Sequence, residues 1–480
     1  MAIRTATPIA VVVVTPLNVT AGATKRLTSG GSTSPVMIYG ATNGLAGGQL
    51  YLQSGTLSGA IEFFGGGGVF YDQTGVAASY QFYGGGAIHL SALGSTANIA
   101  STGSDWASLY GSGETVNLAS ANANVVGSGD FVNFASGADQ VSLYGSAGQW
   151  DTVSGSNGVA IVNTLSANVV GGGDTLYATA GSSLKLSATN GAADTLYASS
   201  TNVTLNSAQA RVVGGGNVFY ANGASTLTVS GTAGNWDGVY ASGSTINIFG
   251  ASITIVGGGN TINATQGSQM CLFETSGGAD HVSATDTLII DHAAQASFVG
   301  GGNTLLVDSG CTIGLSGTGG ISDTVNGSGV NISLSAAQVS IYGSGESVTA
   351  TQSTTVFTGG GAASVETGSN DSVSLVSAAL TLHGSNDSAH FSGASSLTVA
   401  GTHEEFFFAS GLASSTISGF DMSDLLNFSA SGWLSFHALA ASGAITQVGA
   451  NTVIRRDASD TLILTGVHAA SLTAAQFAFA

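Results

Sequence analysis

Val170-Gly171-Gly172-Gly173-Asp174-Thr175-Leu176-Tyr177-Ala178 returns 43 residues later as Val213-Gly214-Gly215-Gly216-Asn217-Val218-Phe219-Tyr220-Ala221. It returns twice more at the same step, as Val256-Gly257-Gly258-Gly259-Asn260-Thr261-Ile262-Asn263-Ala264 and Val299-Gly300-Gly301-Gly302-Asn303-Thr304-Leu305-Leu306-Val307. A second copy of the motif sits inside each unit, at Gly148, Gly191, Gly234, Gly277 and Gly320, so that from Gly171 to Gly343 the spacing alternates 20 and 23. The third residue after each glycine is Asp, Asn or Glu. The fifth is always apolar: Val132, Val153, Leu176, Leu196, Phe219, Val239, Ile262, Val282, Leu305, Val325 and Val348. Apolar residues at alternate positions share one face of a strand. A second alternating segment follows about ten residues on, as in Leu184-Lys185-Leu186 and Ile246-Asn247-Ile248. One unit is too short to bury its own apolar face, but stacked units bury it jointly. The pattern therefore predicts an all-β chain: a single elongated parallel β-solenoid with one coil per 20–23 residues, a 43-residue double-coil repeat and a β-rich C-terminal cap.

Working outward, the repeat loosens on both sides. The expected organisation is an N-terminal extension over 1–39 with an apolar strand, a solenoid over 40–400, and a C-terminal cap over 401–480. The chain has 480 residues, 73 of them glycine; 43% are hydrophobic and 7% charged, with a formal net charge of −19. That hydrophobicity excludes a disordered polyelectrolyte, and three prolines exclude collagen. Seven Lys and Arg in all exclude a nucleic-acid partner, which needs a clustered positive surface. No apolar run approaches the ~18 residues of a membrane-spanning helix, so no membrane insertion is expected. The longest such run, Ile9-Ala10-Val11-Val12-Val13-Val14, ends at Thr15-Pro16 and reads as a β-strand. Cys271 and Cys311 are expected as buried free thiols, since two cysteines build no disulfide framework.

Two features resemble the RTX (repeats-in-toxin) proteins exported by type I secretion. Gly-Gly-Gly-Asp174-Thr-Leu176 and Gly-Ser-Asn-Asp371-Ser-Val373 are similar to shortened forms of the RTX nonapeptide, although most copies are a residue short and several carry Asn for the acid. The segment from Ile417-Ser418-Gly419-Phe420-Asp421-Met422-Ser423-Asp424-Leu425 through Asp460-Thr461-Leu462-Ile463-Leu464 to Gln476-Phe477-Ala478-Phe479-Ala480 resembles the C-terminal export region of serralysin-type proteins. The resemblance implies an extracellular or cell-surface location, reached without N-terminal cleavage. It also implies calcium between turns, for which Asp371, Asp387, Asp421 and Asp424 are the candidate ligands. The His-Glu-x-x-His motif of serralysins is absent, so no enzymatic activity carries over.

The expected function is that of a secreted structural protein that self-assembles, as a surface-layer, fibre or biofilm-matrix subunit or an adhesin. Ile9, Val11, Val12, Val13 and Val14 are the candidate self-assembly strand, adding to an open sheet edge of the same or a neighbouring molecule. With −16 concentrated between residues 84 and 400, contacts between copies should be salt-sensitive. Tyr177, Tyr197, Tyr220 and Tyr240 occupy the outward sixth position and are expected as one aromatic stripe over four successive coils. Such a stripe supports an alternative reading as a carbohydrate-binding or carbohydrate-active protein with a surface glycan as partner; the bland reading is a self-supporting ladder. His281, Asp291 and His292, near Asp280 and Asp286, form the densest polar group, and no nucleophile elbow, phosphate loop or zinc motif is present.

Overall fold

The computed structural model describes residues 17–479, except 28–34, 41–46, 56, 58, 66, 146–148, 164–165, 188, 190, 232–233, 274–277, 293–294, 360–363, 409–412 and 430–434. The chain is all-β with 3% helix, its parallel strands stacked as a β-solenoid of about 22 turns. It divides into two compact units, Met1–Tyr240 and Ala241–Ala480.

In the first unit consecutive strands alternate between two parallel sheets. One sheet carries Ser166–Val170, Ser183–Ser187, Asn202–Asn206 and Val218–Asn222 in that order. The other carries Thr175–Ala178, Asp194–Ala198, Gln209–Val213 and Thr226–Ser230. Burial alternates along each strand, because period two sends every other side chain inward. All eleven apolar residues of the fifth column, from Val132 to Val348, are buried.

The register corrects the length of a coil. Ser166 faces Ser183 and Asn202 faces Val218, so one coil here takes 16 to 20 residues rather than 20–23. The 43-residue repeat accordingly holds five strands: Thr175–Ala178, Ser183–Ser187, Asp194–Ala198, Asn202–Asn206 and Gln209–Val213. Five strands make two and a half coils, so the next repeat, beginning at Val218–Asn222, starts on the opposite sheet. The second unit does the same: Thr261–Ala264 opens a repeat on one sheet, and Thr304–Val307 opens the next on the other.

The recurring glycine has a steric cause. Gly171, Gly214, Gly257 and Gly300 have φ of +138°, +128°, +121° and +121°. A Cβ there would overlap the carbonyl oxygen of Gly155, Ala198, Ala241 or Ala284 on the coil before. Only glycine admits both that φ and that backbone approach.

Strand pairing begins inside the segment read as an extension. Leu17–Val19 pairs with Val36–Tyr39, and Thr24–Leu27 with Gln49–Leu52. Offsets of 19 and 25 residues keep these coils out of step with the 43-residue period. Ile9, Val11, Val12, Val13 and Val14 lie outside the described residues. At the far end of the second unit, Ser414–Ser418 pairs in parallel with Thr461–Thr465. From there the chain reverses through antiparallel Asn451–Arg455 and Ile445–Val448. The helix Phe436–Ala441, capped by Ser435, precedes that hairpin, and Phe477–Ala478 adds to Leu425–Asn427. No helix among the described residues is long and apolar enough to cross a membrane.

Candidate functional site

The Asp/Asn column is a buried ladder between coils. Each member sits just before a strand or opens one, and turns its side chain inward. One carboxyl or amide oxygen accepts a main-chain N–H from the coil before. Asp174 Oδ1 accepts from Gly158 N at 2.8 Å, and Asp194 Oδ1 from Asp174 N at 3.0 Å. In the second unit Asn260 accepts from Ser244 N at 3.1 Å, and Asp280 from Asn260 N at 2.9 Å. The bonds thus run from coil to coil. The short side chain satisfies an amide that the turn leaves without a strand partner.

This placement removes most charge from the surface. Eighteen acidic side chains are buried among the described residues, out of 26 in the chain. Ion pairs among the described residues are confined to His292–Asp308 and Arg456–Asp460. Burial pushes the carboxyls upward: Asp151, Asp237, Asp323 and Asp387 to about 6, and Asp194 and Glu404 to about 7. Fourteen of the eighteen acids between residues 84 and 400 face inward, away from the surface on which the expected salt sensitivity of contacts between copies rested.

The candidate calcium ligands do not converge. Asp371, Asp387 and Asp424 follow one another up the ladder with Glu404 between the last two, each holding a main-chain amide. Ser353 N donates to Asp371, Asp371 N to Asp387, Asp387 N to Glu404 and Glu404 N to Asp424, at 2.7–3.0 Å. Asp421 stands apart, bonded to Ser423 and donating its N–H to Asp424 Oδ2 at 2.9 Å. Calcium takes six to eight converging oxygens. Among the described residues no three His, Cys, Asp or Glu side chains are grouped to hold a metal ion.

The four tyrosines form two pairs instead of one stripe. Tyr177 stacks on Tyr197 at 5.1 Å, and Tyr220 on Tyr240 at 5.2 Å, with planes 12° and 13° apart. Tyr177 pairs across to Tyr197, whereas Tyr220 lies on the other sheet beside Thr204. The odd number of strands per repeat separates them. All four are 43–48% exposed, but each ring turns one face onto its partner.

A longer ladder escaped the sequence reading. Tyr51, Tyr71, His89 and Tyr110 stack in order at 4.4, 4.5 and 4.5 Å, with Arg26 5.3 Å above Tyr51. Their common signal, an outward aromatic near the end of each strand, is hidden because these coils have unequal lengths. Each stacked ring turns at least one broad face onto a neighbour, which leaves less open face to meet a sugar.

The polar group at His281, Asp291 and His292 is dispersed. Asp291 points inward and His292 outward on one strand, and His281 lies on the opposite sheet. His292 Nδ1 lies 2.8 Å from Asp308 Oδ2, with the Phe273 ring stacked 4.6 Å away. Cys271 and Cys311 are buried thiols outside any disulfide, and Cys311 Sγ donates to the Asp291 carbonyl at 3.7 Å. No family model matches the chain, and no curated protein matches it.

Proposed function

We propose that the chain is a secreted structural protein that self-assembles, as a surface-layer, fibre or biofilm-matrix subunit or an adhesin. The burial of the acidic residues carries this reading. With its acids turned inward, the outer face is mostly Ser, Thr, Asn and stacked rings, and copies can approach side by side without strong repulsion. The resemblance of residues 417–480 to a type I export region supports an extracellular or cell-surface site of action. Strand addition by Ile9–Val14 remains part of the proposal. Among the described residues the outer edges of Leu17–Val19 and Thr24–Leu27 have no further strand partner, which is the kind of edge such a segment completes.

The test is electron microscopy of the purified full chain at low and high salt, beside a variant lacking residues 1–16. Filaments or a lattice at both salt concentrations, lost in the deletion, are the expected result. Monodisperse particles under all conditions would refute self-assembly, and fibres formed by the deletion variant would refute strand donation alone. The carbohydrate reading is checked on a glycan array, where the partly covered ring faces lead us to expect no binding.

A further inference from the structure

Asp174, Asn217, Asn260 and Asn303 hold the same place in four successive repeats. Their main-chain N–H groups donate to the next Asp of the ladder, at Asp194, Asp237, Asp280 and Asp323, over 2.7–3.0 Å. Their side-chain oxygens each accept from the coil before, from the amides of Gly158, Thr201, Ser244 and Thr287. They differ in one atom. In the three Asn residues that atom is Nδ2, which donates to the carbonyl of Ala198, Ala241 or Ala284, each at 3.1 Å. In Asn260 and Asn303 it also reaches the next Asp Oδ1 at 3.1 Å. In Asp174 it is Oδ2, which is buried and has no partner. By position it meets the same surroundings, a carbonyl and a carboxylate, and both are acceptors. An oxygen without hydrogen there confronts only lone pairs, at the cost of an unpaired buried charge.

We propose that the steps where acid follows acid are proton-binding sites: a carboxyl proton on the first acid occupies the place that an Asn amide hydrogen fills in the neighbouring repeats. Four further steps have the same form, those at Asp387 and Glu404 and two more. Asp130 accepts from Glu114 N and donates its N–H to Asp151, and Asp371 accepts from Ser353 N and donates to Asp387. The Oδ2 atoms of Asp130 and Asp371 are likewise buried without a partner. Among the described residues no base stands nearby to replace the proton. Asp174 faces Asp194 and the Gly158 amide, while Lys185 and Arg211 point outward from their strands. Asp130 faces Glu114 on one side and Asp151 on the other. Asp371 faces Asp387 and Glu366, and His403 acts further along, on Asp421 and Asp424. Burial raises every one of these carboxyls, which favours the protonated form.

The sign of the pH effect follows. A group that holds its proton more tightly folded than unfolded stabilises the fold below its unfolded pKa and ceases to do so as pH rises through its folded value. For Asp174, which burial raises above its ordinary 3.8, the contribution is full below that value and is lost as pH rises through the elevated folded value.

The test compares three full-length proteins: wild type, Asp174→Asn and Asn260→Asp. Each is followed by the infrared carbonyl band of protonated carboxyl groups, and by melting from about pH 5 to about pH 8. The wild type is expected to show the band and to melt at lower temperature as pH rises. Asp174→Asn should lose part of the band and flatten the pH dependence, while Asn260→Asp should gain band intensity and steepen it. Both variants are read spectroscopically as well as thermally, so a modest stability change in either leaves the outcome decisive. A band unchanged in both variants, with all three pH profiles superimposed, overturns the proposal. A third arm adds calcium chloride or EDTA. A band that appears only after chelation would show a cation in these sites and would also overturn it.

Discussion

Glu366 offers the sharpest measurement on this fold. It points inward from the strand Ser364–Ser369, between Val348 on one side and Leu382 on the other, at a position that is apolar on both neighbouring coils. It is fully buried, and neither carboxyl oxygen has a hydrogen-bond partner. Burial, with Asp371 and Asp387 facing it, holds its pKa well above 4.5. An unsatisfied buried polar group costs about 1–3 kcal/mol, and a buried leucine contributes about 1.5–3 kcal/mol over an exposed one. Because the Glu366 methylenes are already buried, only part of the leucine contribution is new, and Glu366→Leu should stabilise its coil by roughly 2–4 kcal/mol at pH above neutrality. The sign with pH is fixed by linkage. The wild-type carboxyl is tolerated while protonated and becomes costly as pH rises through its elevated folded pKa. The gain from leucine should accordingly grow from acid to mildly alkaline solution, while Glu366→Gln should fall between the two and change little with pH. A solenoid need not unfold in one step, so the assay is amide hydrogen exchange in Ser347–Thr351, Ser364–Ser369 and Ala379–Ser385, at about pH 5 and about pH 8. Slower exchange in the Leu variant, most marked at the higher pH, is expected. Faster exchange, or a gain independent of pH, would refute the reasoning that an uncompensated carboxyl sits in the dry interior.

Gly257→Ala should leave little soluble folded protein, because the added Cβ overlaps the Ala241 carbonyl at a positive φ; a soluble variant with wild-type circular dichroism would contradict the close coil approach. Replacing Tyr177 and Tyr197 together by Ser should cost about 0.5–1.5 kcal/mol in urea unfolding through the lost ring stack. The same change should leave assembly intact. Loss of filaments with unchanged stability would instead make that pair a contact surface.

Some of this architecture is written plainly in the sequence and some is not, and the division has a physical cause. Period-two alternation decides which side chains go inward, so Leu176, Phe219 and Val325 were legible as core from spacing alone. Coil length was not. The glycine motif marks two of the five strands in a repeat, and the alternating segments after it mark two more, Ser183–Ser187 and Asn202–Asn206. Gln209–Val213, however, runs straight into the next glycine without a marker of its own. Counting motifs therefore counted two coils where the chain makes two and a half. That half coil explains the split tyrosines. It also bears on function. A side chain repeated every 43 residues lies on one sheet in one repeat and on the opposite sheet in the next, as Tyr177 and Tyr220 do. A repeat of this kind does not concentrate a single recurring residue on one face. It distributes each feature over both, which suits a subunit that meets equivalent neighbours on two sides better than a groove that grips one ligand. The same logic accounts for the acids. Asp174 and Asn217 are alternatives at one ladder position on opposite sides, and what the position demands is an oxygen for the coil before and a hydrogen for the acceptors beside it. Asparagine meets both demands outright. Aspartate meets the second only when it carries a proton, and the acidity of the surroundings thereby enters the stability of the fold.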